Sequence, residues 1–191
     1  MHEAQIVSSA ARGGAPHLSG RPRSDEYAPY YARYVERVRP GDIAVALEEG
    51  ARETVALLRS ELARTNADRA YAEGKWTLKE VVGHVIDAER VFALRMMRFG
   101  RGDTTPLPSF DEDAYTPAGE FGTRTLDSLI EEFIAVRNAT IHLIRGLPES
   151  AWTRRGVASG FEVSVRALAH IIAGHELHHR AILEHRYLAG D

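Results

Sequence analysis

The chain has no cysteine at all. That absence excludes disulfide stapling, thiolate metal ligands and a cysteine nucleophile, so any bound metal must be held by imidazole or carboxylate. Long apolar runs are also missing: no stretch approaches the ~20 residues that span a bilayer. The first residues, MHEAQIVSSAARGGAPHLSGRPRS, lack a continuous apolar core and make a poor secretory signal. A cytoplasmic location with no membrane partner is therefore expected. Nor is there an excess of positive charge. Lys and Arg total 24 against 27 Asp and Glu, a net charge of −3. A nucleic-acid binder normally carries a basic face to neutralise phosphates, so no nucleic-acid partner is expected.

What the chain does have is 191 residues, 44% of them hydrophobic, enough for one domain with a core and some extra length. Residues 1–24 are rich in Gly, Ser, Ala, Pro and Arg without periodicity. They read as a disordered or extended arm, or as one that docks on a partner subunit. The folded domain is expected over 25–191.

The texture then becomes helical. Tyr27, Tyr30, Tyr31, Tyr34 and Val38 mark a short helix with an aromatic face, stopped by Pro40-Gly41; these tyrosines read as cover for a bundle end. Asp42 caps a long helix expected over 43–65, with Leu47, Ala51, Val55, Leu58 and Leu62 as its apolar stripe. The capping box Thr77-Leu-Lys-Glu80 opens a second, over 77–99. A third runs from Thr125 to Arg145 and a fourth over 164–188. Prolines and glycines make 100–124 a long ordered loop, or one containing a single short turn, and 149–163 is a second loop. No strand pattern stands out. The prediction is an all-α fold: a four-helix bundle with a crossover connection, plus a short N-terminal helix.

The fourth helix carries the chemistry. Residues 174–185, GHELHHRAILEH, hold four of the nine histidines. Its inward seam reads Val165, Leu168, Ile172, His175, His179, Ile182, stepping by threes and fours. Two imidazoles thus occupy core positions one turn apart, where they can reach one ion. A buried imidazole needs a polar partner, and a shared metal supplies one to both. The alternative is a pair of core histidines satisfied by acidic neighbours. On the second helix His84 again sits inward, beside Val81 and Ala88. Three imidazoles from two helices would leave an open coordination position, as catalytic metals keep.

His175, Glu176 and His179 also spell H-E-x-x-H, the zinc-peptidase signature. The variant with a third histidine ten residues on needs a glycine at the seventh, where the helix turns back. Ile182 stands there, in a stretch that continues as helix. A straight helix carries His185 about 15 Å along the axis from His175, out of reach. A peptidase is therefore not expected.

Other candidates are weaker. Glu80, Asp87, Glu176 and His178 are placed to orient the ligands from behind, Glu80 more simply as a cap and His178 also as a substrate contact. Arg95 and Arg98 are candidates for binding a carboxylate on a cofactor, against a plainer role in surface pairing. Asp111, Glu112 and Asp113 offer carboxylates near the metal mouth, with Phe110 and Tyr115 as anchors. Trp76 and Trp152 read as core lids. His170 and His185 read as flanking or surface residues, His142 as structural, and His2 and His17 lie in the arm.

Three segments, KWTLKEVVGHVIDAERVF (75–92), RFGRGDTTPLPSFDEDAY (98–115) and IIAGHELHHRAIL (171–183), resemble the DinB-like superfamily of metal-binding four-helix bundles. The resemblance implies His84, His175 and His179 as a facial triad for a divalent ion, in a bundle that is often homodimeric. It implies a metal-dependent enzyme acting on a small molecule. The first expectation is a thiol S-transferase that activates a low-molecular-weight thiol at the open position. The second is a hydrolase whose nucleophile is metal-bound hydroxide. A third, of another class, is a non-catalytic metal-binding stress-response module. Three neutral imidazoles accept zinc, nickel, iron or manganese, so the ligands do not select the ion.

Overall fold

The computed structural model describes residues 5–7 and 20–189. Seven helices appear among them: α1 (Ala32–Val35), α2 (Ile43–Leu58), α3 (Glu61–Thr65), α4 (Leu78–Gly100), α5 (Glu112–Ala118), α6 (Leu126–Arg145) and α7 (Val165–Ile182). The long ones are α2, α4, α6 and α7, and they form a four-helix bundle. Each starts on the cap its sequence announces. Asp42 accepts from the backbone N–H of Ala44, and Thr77 and Glu80 form a reciprocal capping box. Thr125 and Ser164 accept from Ser128 and Ala167. Each cap satisfies an amide that the helix itself cannot.

Helix α4 packs on α6 and α7, and α2 packs on the same two. Chain-consecutive α2 and α4 therefore face each other across the diagonal, as do α6 and α7. The connections between these diagonal pairs cross over the bundle; the expected long loop 149–163 lies in one of them, whereas 100–124 joins the neighbours α4 and α6.

The structure departs from the sequence expectations in three places. The helix expected over 43–65 breaks at Arg59 and Ser60, because the Ser60 hydroxyl caps α3 by accepting from Ala63 N–H. The segment 100–124, expected as an ordered loop or one with a single short turn, contains the seven-residue α5. The second loop holds a two-stranded antiparallel hairpin, β1 (Arg155–Ala158) and β2 (Phe161–Ser164). Its turn is Ser159-Gly160, with φ of 54° and 80°. Positive φ at both central residues is what a tight two-residue hairpin requires. Leu107 N–H donates to Val157 O and Ser159 N–H to Leu107 O, so the hairpin pins the 100–111 loop.

Of the N-terminal segment, residues 5–7 lie along α6, where Asn138 accepts from Val7 N–H and donates to Gln5 O. Arg21 donates to the carbonyls of Val35, Glu36 and Val38 beyond α1. The rest of the predicted arm, with His2 and His17, lies outside the described residues.

Two apolar clusters fill the bundle, one including Leu47, Met96 and Ile172, the other Leu58, Ile86 and Phe133. Between them runs a polar layer. On α4 it is His84 and Glu89, on α6 Arg137, and on α7 His175 and Glu176, all buried. This layer holds the candidate site. Close approach of α1 to it depends on Gly174. A Cβ there would lie 2.0 Å from Tyr34 O, so only glycine lets the α1 backbone rest on α7.

Candidate metal centre

The capped start of α4 places His84 two turns in, facing α7. The i, i+4 spacing places His175 and His179 on the α7 face that looks back. His84 Nε2 and His175 Nε2 lie 3.1 Å apart. One potential ligand atom from each of the three histidines falls within 4.8 Å of the others. The His179 ring centroid is 4.8 Å from that of His84 and 4.5 Å from that of His175. His84 and His175 are buried; His179 is partly exposed, but its Nδ1 is enclosed.

Burial pushes the imidazoles towards their neutral form. His84 is held down at about 4, with the Asp113 carboxylate pulling weakly the other way. His179 is held at about 3 by burial and then by its histidine neighbours, and His175 lies well below the usual range for the same reasons. Neutral imidazole is the form that ligates metal.

These residues fit a divalent cation. Two donors 3.1 Å apart match bonds of about 2.1 Å meeting an ion at roughly a right angle. His179 Nδ1 is a buried atom with no hydrogen-bond partner from the protein, a costly arrangement that an ion would relieve. The three-nitrogen set does not select the ion.

The cluster opens into a cavity of about 240 Å³ walled by Tyr30, Tyr31, Tyr34, Trp76, Phe92 and Phe110. Ala88, Arg95, Glu112, Asp113, Ser159 and His178 complete the lining. Trp76 packs on His84 at 5.0 Å between centroids, and Phe110 stacks nearly parallel to it at 6.5 Å. Tyr34 meets His175 and His178 edge-on at 5.3 and 5.4 Å. The C-terminal π-helical turn (Leu183–Tyr187) secures this wall: Tyr187 Oη donates to Trp76 O at 2.6 Å.

The other sequence candidates divide. His178 lines the cavity, half-buried beside the triad. Arg95 lines it too, and Glu112 and Asp113 supply the expected carboxylates at the mouth. Glu80 closes the capping box. Asp87 pairs with Arg90 on the flank of α4 and makes no contact with His84. Arg98 pairs with Asp103 through Nε at 2.6 Å and does not line the cavity. Glu176 behind His175 is not an orienting group either. Its Oε2 takes a 2.6 Å hydrogen bond from Arg137 Nη1 and its Oε1 one from Thr54. Arg137 also forks onto Glu89 and donates to Leu47 O. The H-E-x-x-H glutamate therefore serves a buried ion network, which removes the base a peptidase would need.

Trp152 is a core residue, but Trp76 is a wall of the site as well as a lid. His170 is buried rather than on the surface, its Nδ1 2.9 Å from Arg166 O. His142 and His185 are exposed. The tyrosines of 30–34, Phe92 and Ser159 were not legible as site residues. The tyrosine spacing marked a helix face but not what that face would meet.

The fold and the site together define a four-helix bundle with a three-histidine centre at its middle level. The family model of the DinB superfamily matches residues 46–183, and the chain belongs to that superfamily. A solved structure it resembles is YfiT from Bacillus subtilis, described as a probable metal-dependent hydrolase with an unusual four-helix bundle topology. The two share 17% identity with a TM-score of 0.62, over 85% of this chain and 89% of that one. Among curated protein sequences none matches. Among the described residues no helix is long and apolar enough to cross a membrane.

Proposed function

We propose that this protein is a divalent-metal enzyme acting on a small molecule, and that its reaction is thiol S-transfer. The observation that carries the metal reading is the convergence of His84, His175 and His179 beside a cavity. A divalent ion held there supplies Lewis acidity, favouring the anionic form of a nucleophile at neutral pH. The chain's own residues then do the rest. The three neutral imidazoles leave the charge of the ion undiminished. The aromatic walls exclude water and orient an apolar electrophile.

Two features favour a thiol over water as nucleophile. A thiol ionises at a pKa of about 8.5, so it needs little help beyond the ion. And Glu176, the obvious base for water, is committed to Arg137. With no cysteine in the chain, the thiol would come from outside. The second reading is hydrolysis. It is favoured by Glu112 and Asp113 at the cavity, either of which can take a proton from water, and by the description of the YfiT structure.

The test is elemental analysis of purified protein, followed by assays of metal-loaded and chelator-treated samples. Conjugation of thiols such as glutathione, bacillithiol or mycothiol to chlorodinitrobenzene is compared with hydrolysis of nitrophenyl esters. Metal-dependent conjugation without ester cleavage is expected. Ester cleavage alone transfers the reading to hydrolysis. No metal bound at any ionic strength overturns both.

A further inference from the structure

Among the described residues three cationic side chains are buried: Lys79, Arg95 and Arg137. Arg137 is matched by two carboxylates, Glu89 and Glu176. Lys79 is matched by Asp68 and two carbonyls. Arg95 is 4% exposed and has no carboxylate partner among the described residues. Its Nη2 donates to Pro108 O at 2.8 Å and Ser159 Oγ at 3.1 Å, and its Nε has no partner. A buried charge without a counter-ion is expensive. This one stands in the wall of the cavity that holds the histidines.

We propose that the cavity takes a small organic monocarboxylate, with Arg95 as the anchor for its carboxylate. The metal reading above enters only for the opposite end of the ligand; the anchor itself does not depend on it. His84, Ala88, Phe92 and Arg95 follow one another at steps of four, four and three, on one face of α4. Ala88, the smallest of them, leaves space between imidazole and guanidinium. Tyr31 and Phe92 flank that space with aromatic rings, which suits an apolar or aromatic body between the two polar ends. A volume of about 240 Å³ lies below the roughly 300 Å³ at which drug-sized ligand sites begin. The ligand is therefore small.

The anchor is pre-set. Ser159 holds the guanidinium from the hairpin turn through its hydroxyl. Pro108 O holds it from the loop that the hairpin pins. With both Nη2 hydrogens engaged, Nε and Nη1 keep free N–H groups and the full positive charge for a carboxylate. Glu112 and Asp113 also line the cavity, and they would repel a second negative charge. The ligand bound between Arg95 and the histidines thus carries its one carboxylate at the Arg95 end.

Benzoate and benzamide are matched in shape and differ in charge, so they isolate the anchor. Binding of each is measured by calorimetry or ligand-observed NMR, on the full chain after chelator treatment and again with metal restored. Chelator-treated wild type is expected to bind benzoate about tenfold or more tighter than benzamide. Arg95→Gln is expected to abolish that preference and leave benzamide binding unchanged. Arg95→Lys, which keeps the charge but loses the planar guanidinium and its bonds to Pro108 and Ser159, is expected to fall between, and it serves if Arg95→Gln does not fold. Equal binding of the two probes, no binding of benzoate at millimolar concentration, or a preference that appears only with metal present would each overturn the proposal. Failure of metal to bind leaves the benzoate preference standing, so the two readings fail separately.

Discussion

Arg137 Nη1 holds Glu176 Oε2 at 2.6 Å inside the bundle, one residue along α7 from an imidazole that faces His84. Neighbouring residues on a helix point about 100° apart, so one helix serves two polar assemblies at a single level. His175 looks to α4 and α1, and Glu176 to α2 and α6. The sequence string H-E-x-x-H is thereby divided between a candidate metal centre and a structural ion network.

That division predicts how Glu176→Gln behaves. The amide keeps the shape and loses the charge facing Arg137, leaving Glu89 as the only counter-ion. Stability should fall by roughly 1–3 kcal/mol. Metal content should stay at the wild-type level, because the Glu176 carboxylate bonds to Thr54 and Arg137 and to none of the three histidines. Arg137→Met is harsher: it leaves two buried carboxylates unpaired, for a loss of about 3–5 kcal/mol. Denaturant unfolding and elemental analysis of the same samples check both. Loss of metal in a folded Glu176→Gln protein would show that the glutamate serves the metal centre after all.

Replacing any one of His84, His175 or His179 by alanine should weaken metal binding by more than the roughly 10–100-fold that loss of an outer hydrogen-bond partner costs. Wild-type protein should be stabilised by added metal, by about 2.7 kcal/mol when the ion stands at a hundred times its dissociation constant. The alanine variants should show little of that gain. Thermal melts with and without a divalent salt provide the measurement. Equal stabilisation of all four proteins would place the metal elsewhere.

Gly174→Ala tests how α1 is seated. The new methyl would meet Tyr34 O at 2.0 Å, and a backbone atom cannot move aside as a flexible side-chain end can. The cost should be at least the 1–3 kcal/mol typical of overpacking. Since α1 and the 3-10 turn just before it (Pro29–Tyr31) carry the tyrosine wall, probe binding in the cavity should weaken along with stability. Retention of both would mean that α1 packs less closely than the structure shows.

The triad could be read from sequence because each histidine breaks a hydrophobic seam, and a polar residue at a core position announces a partner. The four long helices were legible from their caps and apolar stripes. The hairpin was not: strands of four residues fall below the length at which alternation can be seen, and Ser159-Gly160 is a weak turn signal. The break at Ser60 was hidden by Leu62, which continues the apolar stripe across it. The partner of Glu176 lies 39 positions away, and no local pattern connects Arg137 to it. What could have raised the question is position. Phe133, Arg137, Ile141 and Ile144 follow a core spacing, and a charge on that spacing requires a counter-charge on a facing helix.

The last prediction concerns acid stability at the start of α7. Glu26 is buried against Ser164 and Arg166; Ser164 Oγ and Arg166 Nε donate to its Oε2 at 2.7 and 2.6 Å. Burial alone would raise its pKa, but the hydrogen bonds from Arg166 and Ser164 prevail and lower it from 4.5 to about 2. A carboxylate whose folded value is depressed stabilises the protein above its unfolded value, and that contribution disappears as pH falls through the folded one. Stability from this pair should thus be complete above about pH 4.5 and drain away towards pH 2, with an upper limit of about 3 kcal/mol. Asp25 and Asp103 are also depressed to about 2, so the total acid slope has several sources. The informative quantity is the difference between wild type and Glu26→Gln in denaturant unfolding at successive pH values. It should be largest near neutrality and shrink below pH 4.5. A difference that is constant with pH would mean that Glu26 contributes packing and neutral hydrogen bonds, with its charge of no consequence.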